Sequence, residues 1–242
     1  MAQPMAQPMA LSHSRLSDFN QCPLKFKLKY IDKHPAFKID DNNKSVHLQR
    51  GENVHKALET YLVKRKSGLD ANFEYSKNLP EVNNTIPLIE NYINFFGLEN
   101  MHPERQICVG SDWNELEWFS RSAYYRAIFD VIGIGHDTAF IGDYKTGKFT
   151  DYTPKSGYGQ LELSAGIALS IFDVEKVSTQ YMYVDHKQTV KKDYTQADKS
   201  RIMAHFVEEH EKVNAEVNFD PCKNQFCRFC DATKDVCQYA SK

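Results

Sequence analysis

The stretch that decides the fold is FDVIGIGHDTAFIGDYKTG, residues 129–147. Two apolar runs flank a Gly-His-Asp turn, which predicts a hairpin of two strands over residues 124–134 and 138–144. In a strand, side chains two positions apart point to the same face of the sheet. Asp143 and Lys145 are therefore expected to reach one site side by side, at the end of the second strand.

The hairpin would also bring Asp130, which ends the apolar run of the first strand, beside Asp143. Two converging carboxylates offer the hard oxygen ligands that Mg²⁺ or Mn²⁺ prefers, and the backbone carbonyl of Tyr144 could be a further ligand. Such a cation polarises a phosphate and lowers the pKa of a bound water, while the ammonium of Lys145 can stabilise negative charge. An Asp-x-Lys pair in a strand is more often a solvated face, but charged residues that end a buried strand favour a site.

Hydrophobic periodicity outside the hairpin predicts a series of further helices and strands. A first helix, capped by Ser14 or Ser17, is expected at residues 12–30, and Arg50 and Gly51 open a second. The remaining predictions are a polar loop at residues 40–45, an irregular stretch at 68–84, helices at 86–96, 157–171 and 196–213, and strands at 106–109, 115–119 and 177–184. This order predicts an α/β or α+β core with a mixed central sheet flanked by helices.

The bulk composition describes a folded chain without a global signature of its partner. The 242 residues carry a formal net charge of -2, and 41% of them are apolar, which is enough for a buried core. A surface that binds phosphates would therefore have to be local. No apolar run approaches the roughly 20 residues that span a bilayer, and residues 1–11 are expected to be a disordered tail rather than a secretory signal. A cytoplasmic protein is expected, in which the six Cys are thiols or metal ligands rather than disulfides.

Cysteines are concentrated in the C-terminal segment at residues 218–242. Cys227 and Cys230 have the C-x₂-C spacing that lets two thiolates on one tight turn bind the same ion or cluster. With Cys222 and Cys237 they could form a zinc knuckle from the tail alone. Unligated thiols are the alternative that the spacing leaves open.

A series of motifs follows in order along the chain: LSHSRLSDFNQCPLKFKLKY, RGENVHKALE, AIFDVI and IGDYKTGK. They resemble the successive motifs of the PD-(D/E)xK nuclease superfamily, in its branch of RecB-like and Cas4-like exonucleases. The resemblance implies a restriction-endonuclease-like core over residues 12–217 that hydrolyses DNA with Mg²⁺ or Mn²⁺. It assigns catalytic roles to Asp130, Asp143 and Lys145, with Gln160 from the following helix.

The same resemblance gives the helix after Gly51 a metal-binding histidine, His55. A lone histidine on an amphipathic helix is otherwise more often a partly buried core residue than a ligand. Glu59, one turn on, could orient the imidazole or be a surface charge. Glu104 is a lesser candidate for an acid near the metal, and an exposed charge at a strand edge is the favoured interpretation.

The chain departs from the family pattern around both carboxylate motifs. The helix after the catalytic strand normally carries Gln-x-x-x-Tyr, and here Gln160 is followed by Ser164. The Gly before the first catalytic Asp is replaced, by Ala127 or Ile128. The first departure puts the contribution of the family's tyrosine in doubt, though not the metal site.

In Cas4-like and AddB-like nucleases, one N-terminal and three C-terminal cysteines hold a 4Fe–4S cluster. The resemblance gives these positions to Cys22, Cys227, Cys230 and Cys237. The segment at residues 218–242 would then close on the first helix, which leaves Cys222 as an extra thiol and Cys108 as a core residue of a strand. Zinc and unligated thiols are the alternatives at this site.

Basic side chains in and after the first helix are candidates for contact with DNA. Lys25, Lys27 and Lys29, together with Arg50 before the second helix, could neutralise phosphates. A solvated helix face, with lysine stems covering apolar surface, is an equal alternative for each of them.

The resemblance implies a DNA exonuclease or end-trimming nuclease that acts on single strands or duplex ends. Its setting would be recombination, repair, replication, DNA degradation or spacer capture, and a phage or a cellular origin fits equally. The alternative is a non-catalytic DNA-binding module with a metal cluster, although such a module usually loses one of the acids that are intact here. The sequence has no G-x-x-x-x-G-K-S/T loop, so the chain would act alone, as a homo-oligomer, or with a separate helicase or recombination partner.

Overall fold

A computed structural model describes residues 9–38, 44–69, 79–149 and 158–241. The chain divides into two compact units, one formed by Met1–Lys44 with His205–Lys242 and the other by Ser45–Ala204. The second unit contains the central sheet and therefore positions the predicted catalytic motif.

One mixed sheet organises the unit Ser45–Ala204. Its strands are β1 (Met101–Val109), β2 (Glu115–Leu116), β3 (Tyr125–Ile134), β4 (Thr138–Lys145), β5 (Lys176–Tyr183) and β6 (Gln188–Thr195). They lie in the order β2-β1-β3-β4-β5-β6, where β4 and β5 run parallel and the other neighbours are antiparallel. The predicted α+β fold with a mixed sheet is confirmed.

The helices that the structure describes are α1 (His13–Gln21), α2 (Pro23–Phe26), α3 (Val46–Lys66), α4 (Pro80–Phe96), α5 (Tyr158–Ile171) and α6 (Gln196–Ala215). A π-helical turn at Lys27–Ile31 and short 3₁₀ segments at Pro35–Phe37, Leu98–Asn100 and Cys227–Phe229 accompany them. None of the helices in the described ranges combines the length and the hydrophobicity that crossing a membrane requires.

The main core of the unit Ser45–Ala204 joins α3 and α4 to one face of the sheet. Helix α3 buries Val54, Leu58 and Leu62, which lie one turn apart, as its predicted periodicity requires. They belong to one cluster with Val131 of β3 and Phe140 of β4. This packing fixes the backbone of the two strands that carry the predicted catalytic motif.

The single helix predicted over residues 12–30 is wrong in its length and its cap. Ser12, rather than either predicted serine, accepts a hydrogen bond from the first turn of α1. The helix stops at Cys22, whose backbone is extended, because the following Pro23 disfavours the helical conformation in the residue before it.

Other element predictions differ from the structure at their boundaries. Helix α3 begins earlier than predicted, at Val46, because Ser45 supplies the N-cap oxygen. Helix α4 also begins earlier, at Pro80, a residue that suits the first position of a helix. The sequence did not predict β6, whose lysines and other polar residues hide its strand pattern.

Some predictions lie outside the described residues. They are the N-terminal tail up to residue 8, most of the polar loop at 40–45 and the centre of the irregular stretch at 68–84. Residues 150–157, between β4 and α5, also lie outside that part of the chain.

Candidate active site

The two predicted catalytic strands separate at Asp130. Strand β3 pairs with β4 from Val131 to Ile134, and the ladder between these described strands stops before Asp130. Instead, Oδ2 of Asp130 accepts a hydrogen bond of 2.7 Å from the amide of Tyr144. A side-chain oxygen has replaced a backbone acceptor, and this brings the Asp130 carboxylate to the end of β4, as the hairpin prediction requires.

His55 reaches the same point from α3. Its Nε2 lies 2.9 Å from the carbonyl oxygen of Tyr144, and its Nδ1 lies 3.4 Å from Oδ1 of Asp130. Burial alone would lower the pKa of His55, but the hydrogen bond and charge of Asp130, with the charge of Asp143, raise it above its ordinary value. The structure therefore brings His55 together with the two predicted carboxylates.

Helix α3 approaches the end of β4 closely at Gly51. A Cβ atom at this position would lie 3.2 Å from Oγ1 of Thr146, which is tighter than an ordinary contact. The glycine thus permits the approach that places His55, one turn later, at the strand ends. Glu59, which the sequence offered as a partner for the imidazole, forms an ion pair of 2.7 Å with Lys56.

Asp143 and Lys145 lie side by side on β4, and Gln160 of α5 joins them. Nζ of Lys145 lies 2.6 Å from Oδ2 of Asp143 and donates a hydrogen bond of 3.0 Å to Oε1 of Gln160. The side-chain nitrogen of Gln160 donates in turn to Oδ1 of Asp143. The three side chains hold one another in a closed ring of contacts.

The surroundings of the Asp143 carboxylate disfavour its negative charge. Burial, supported by the nearby charge of Asp130, raises the pKa of Asp143 to about 6, although Lys145 and His55 act in the opposite direction. A buried carboxylate that keeps a raised pKa beside a lysine is in a site that lacks positive charge. Strongly perturbed acids of this kind concentrate at functional sites.

Tyr181 of β5 supports this ring, although no motif in the sequence indicates it. It is the parallel neighbour of Asp143, and its ring centroid lies 4.9 Å from Nζ of Lys145. Its hydroxyl is hydrogen-bonded to the backbone of Leu161 in the first turn of α5. Ser164, which stands where the family has a tyrosine, is buried. The aromatic contact to the lysine thus comes from a neighbouring strand, which no local motif signals.

Glu104 of β1 completes a group that could hold a metal ion. One ligand atom each of His55, Glu104 and Asp130 lie within 4.8 Å of one another, and no other such group occurs in the described residues. Glu104 has a φ of 47° and interrupts the pairing of β1 with β3 opposite Asp130. Burial and the charge of Asp130 raise its pKa. The prediction of an exposed edge charge is wrong, because residue type does not reveal this rare backbone conformation.

The three lysines predicted to bind DNA take part in ion pairs within their own unit. Lys25 and Lys29 lie 2.6 and 2.8 Å from oxygens of Asp18, and Lys27 lies 2.8 Å from Asp32. Asp18 is only slightly exposed, whereas the Lys27–Asp32 pair is open to solvent. Their contact with DNA stays a prediction.

Arg50, the fourth residue predicted to bind DNA, connects three segments of the unit Ser45–Ala204. Its guanidinium lies 2.7 Å from Glu81 of α4 and pairs with Asp185, which follows β5. The hydrogen bond to Asp185 raises the pKa of Arg50. The arginine therefore anchors the part of α3 that precedes His55, and a role in binding DNA stays a prediction.

Cysteines line one cavity in the unit that contains both ends of the chain: Cys22, Cys222, Cys227, Cys230 and Cys237. The amide of Cys222 donates a hydrogen bond of 3.4 Å to Sγ of Cys22. No three of these sulfurs lie within 4.8 Å of one another, so the described residues show no set of thiolates grouped around one ion. Cys108 is buried in β1, as expected of a core residue.

Comparison with known proteins gives one family. The model described as the PD-(D/E)XK nuclease superfamily matches residues 10–238. No curated protein matches the chain. Among solved structures, the crystal structure of SSO0001 is 16% identical, covers 86% of this chain and 91% of its own, and has a TM-score of 0.34. A TM-score of this size does not by itself establish a common fold.

Proposed function

The chain belongs to the PD-(D/E)XK nuclease superfamily, and on that premise we propose that it hydrolyses phosphodiester bonds in DNA with a divalent cation. The proposal rests on the observation that side chains from several elements meet at one point of the sheet. The group of His55, Glu104 and Asp130 lies at the strand ends where Asp143 and Lys145 are also placed. The family is one of metal-dependent nucleases, and this group supplies the donors that such chemistry needs.

The residues present fit a divalent cation. Carboxylates of Glu104, Asp130 and Asp143 and the carbonyl of Tyr144 are hard oxygen donors, which suit Mg²⁺ or Mn²⁺. The imidazole of His55 adds a nitrogen donor, which Mn²⁺ accepts more readily than Mg²⁺ does. The raised pKa of Asp143 also indicates a site short of positive charge. When bound, such a cation lowers the pKa of a water and offsets the charge of the phosphate.

The chain's own side chains prepare the site for this reaction. The imidazole of His55 is fixed between two of the proposed donors, since Nε2 lies 2.9 Å from the carbonyl oxygen of Tyr144 and Nδ1 lies 3.4 Å from Asp130. Asp143 and Gln160 hold the ammonium of Lys145 in one place. From there, the ammonium can orient the attacking water or stabilise the negative charge that grows on the phosphate oxygens.

The direct test uses end-labelled single- and double-stranded DNA with Mn²⁺. We expect degradation by the wild type and a loss of more than about 100-fold in the Asp130→Asn and Lys145→Ala variants, since losing even outer-shell support at metal sites costs up to that much. Asp137→Asn, an exposed aspartate in the β3–β4 turn, is the control and should cut normally. Circular dichroism would verify folding, and normal cutting by either site variant would contradict the proposal.

Exonuclease action is the finer part of the proposal, supported by the resemblance of the motifs to RecB-like and Cas4-like enzymes. The end-labelled products show whether cutting starts at an end and at which one. Recombination, repair, replication, DNA degradation and spacer capture are all compatible settings, with or without a separate helicase. A non-catalytic DNA-binding module is disfavoured because Asp130, Asp143 and Lys145 are all present and in contact with ordered partners.

A 4Fe–4S cluster held by Cys22, Cys227, Cys230 and Cys237 is a separate proposal, with zinc as its alternative. Its supports are the resemblance and the cavity that all four cysteines line together with Cys222. The sulfurs would have to draw together around a single zinc ion, whereas each thiolate of a cluster binds a different iron and the sulfurs stay farther apart. Protein purified without oxygen should be brown and contain iron and acid-labile sulfide. Colourless protein with stoichiometric zinc would refute the cluster.

A further inference from the structure

The loop between β2 and β3 exposes aromatic side chains on an ordered backbone. Phe119 is 87% exposed, and Trp118 beside it is partly exposed. A backbone hydrogen bond of 2.8 Å from Ser120 to Glu117 closes a turn around them. A single exposed aromatic residue is ordinary on a protein surface. This pair is notable because Arg126 and strand β3 connect it to the proposed active site.

Arg126 of β3 extends the surface of Trp118. Its guanidinium carbon lies 5.6 Å from the centroid of the indole, and its Nη2 donates a hydrogen bond of 3.3 Å to the carbonyl of Ser120. Planar guanidinium and indole groups are the ones on which unpaired bases stack. Because the hydrogen bond already fixes the arginine, binding a base here would cost little conformational entropy.

Strand β3 leads from this surface to the proposed catalytic carboxylates. Side chains two positions apart share a face, so Arg126, Ile128 and Asp130 form one row, and Ile128 is 46% exposed. At a rise of about 3.3 Å per residue, Ile128 lies about 7 Å and Arg126 about 13 Å along the strand from Asp130. A DNA strand whose phosphate is at Asp130 can therefore lay its neighbouring nucleotides over this row.

The charges around the surface indicate how it would bind. Basic and acidic side chains are balanced along residues 105–126: Arg105, Arg121, Arg126, Asp112, Glu115 and Glu117. One opposite pair, Arg105 and Glu115, lies 3.5 Å apart. A surface without net positive charge gains little from neutralising phosphates. Stacking on bases is the remaining source of affinity, and only unpaired bases have free faces.

We propose that Trp118, Phe119, Arg126 and Ile128 form a base-stacking platform, which holds unpaired nucleotides of the DNA strand next to the bond that is cut. The inference rests on the proposed nuclease function and adds to it a binding surface and a preference for unpaired bases. A nucleic-acid strand, rather than a protein, is the occupant because the row continues without a break into the carboxylate of Asp130.

The two tryptophans of the chain make a direct test. Trp118 lies on the platform, whereas Trp113 is 2% exposed and packs against Tyr125. In an Asp143→Asn protein, which should bind without cutting, oligothymidylate should quench tryptophan emission. Trp118→Phe in that background should abolish the quenching, because the buried Trp113 cannot reach a base. A duplex of equal length should need about tenfold more DNA to quench.

A pair of exposed phenylalanines supplies the matched binding test. Phe119 is on the platform, and Phe95, 75% exposed, lies at the end of α4 beside the β3–β4 turn. Phe119→Ala should weaken binding of labelled single-stranded DNA about tenfold, the effect of losing one base–aromatic stack. Phe95→Ala should leave binding unchanged. Both side chains are exposed enough that neither change should affect folding.

The outcomes separate the platform from the nuclease function. Normal Mn²⁺-dependent cutting, without quenching and with full affinity in Phe119→Ala, would overturn the platform and leave the nuclease intact. If the wild type cuts no DNA with any divalent cation, but oligothymidylate quenches its emission and Phe119→Ala binds tenfold more weakly, the platform is supported and the nuclease function is overturned. Equal quenching by the duplex would refute the preference for unpaired bases.

Discussion

Two aspartate–lysine pairs in this molecule have the same separation, but the pKa values of their aspartates are shifted in opposite directions. Asp143 lies 2.6 Å from Lys145, and Asp18 lies 2.6 Å from Lys25. The pKa of Asp143 is nevertheless raised to about 6, whereas that of Asp18 is lowered. A short contact to a lysine therefore does not decide whether a carboxylate is satisfied.

The remaining neighbours explain the difference. Burial acts to raise the pKa in both cases, but Asp18 receives hydrogen bonds from Lys25, Lys29 and Tyr30, which together lower it. Asp143 is more deeply buried and also faces the charge of Asp130, so one lysine is not enough. Asp18 therefore behaves as a member of a structural ion-pair network, whereas Asp143 behaves as part of a site that requires a further cation.

The largest difference between the pairs should appear in catalysis. Asp143→Asn is expected to lower the rate of DNA cleavage by more than about 100-fold, because it removes a proposed metal ligand. Asp18→Asn should leave the rate unchanged at a temperature where it is folded, because Asp18 pairs with Lys25, Lys29 and Tyr30 within its own unit and is not a proposed site residue. Initial rates with Mn²⁺ measure both. A comparable loss of cleavage rate in the two variants would contradict the assignment of Asp143 to a metal site and of Asp18 to a structural ion pair.

The same two substitutions should change stability in opposite directions in protein freed of metal by EDTA. At pH 7, Asp143→Asn should raise the free energy of unfolding by up to about 3 kcal/mol, because a shift of roughly two pKa units is relieved. This corresponds to a Tm several degrees higher. Asp18→Asn should lower Tm, since Lys25 and Lys29 lose their shared anion. Added Mn²⁺ should stabilise the wild type and not Asp143→Asn.

The stability difference between Asp143→Asn and the wild type should depend on pH. Below pH about 3 the Asp143 carboxyl is protonated in both folded and unfolded chains, so Asp143→Asn should then match the wild type. Its advantage should grow as pH rises to about 6 and stay constant above. The contribution of Asp18 should be present above its ordinary pKa and disappear as pH falls through the lowered folded value. A Tm advantage of Asp143→Asn that persists at pH about 3 would contradict the assignment.

Local sequence was enough to predict the acid–lysine pair on β4. It was not enough to identify the residues that join this pair from other strands. Asp143 and Lys145 could be predicted because strand period alone puts them on one face. Glu104 was only a lesser candidate, because its place depends on a left-handed backbone opposite Asp130 that glutamate rarely adopts. Tyr181 could not be predicted, because it reaches Lys145 through the parallel pairing of β4 with β5. Contacts made across strands from distant segments have no local signature.

The same limit applies to the fold. The strands β3, β4 and β5 were predicted because each contains an apolar run, which is buried on both faces in β4 and β5 and from Val131 to Gly133 in β3. Edge strand β6 was missed because one face is exposed and carries lysines, which suit a sheet edge but resemble a loop. The first helix was predicted too long because its apolar period continues through Cys22 and Pro23, and the break depends on the proline alone.

A smaller effect should distinguish Lys145, the lysine of the proposed catalytic pair, from a lysine in a similar aromatic contact. Nζ of Lys145 lies 4.9 Å from the Tyr181 ring, and Nζ of Lys192 lies 5.0 Å from the Tyr194 ring. Tyr181→Leu should lower kcat about tenfold with little change in KM, because a cation–π contact of 1–2 kcal/mol no longer positions the ammonium. Tyr194→Leu, measured in the same assay, should keep kcat. Equal losses would indicate a general packing defect instead.

The smallest effect concerns the lysines near Asp18. Lys27 pairs with the exposed Asp32 in a contact of little net stability, so a DNA phosphate could replace that partner. Lys29 is held by the slightly exposed Asp18, and moving it to a phosphate would leave that carboxylate with fewer donors. Lys27→Gln should therefore reduce the salt dependence of single-stranded DNA binding by about 0.7 in the log–log slope, with no change in Tm. Lys29→Gln should lower Tm and leave the slope unchanged, and the reverse pattern would show that Asp18 does not restrain its lysines.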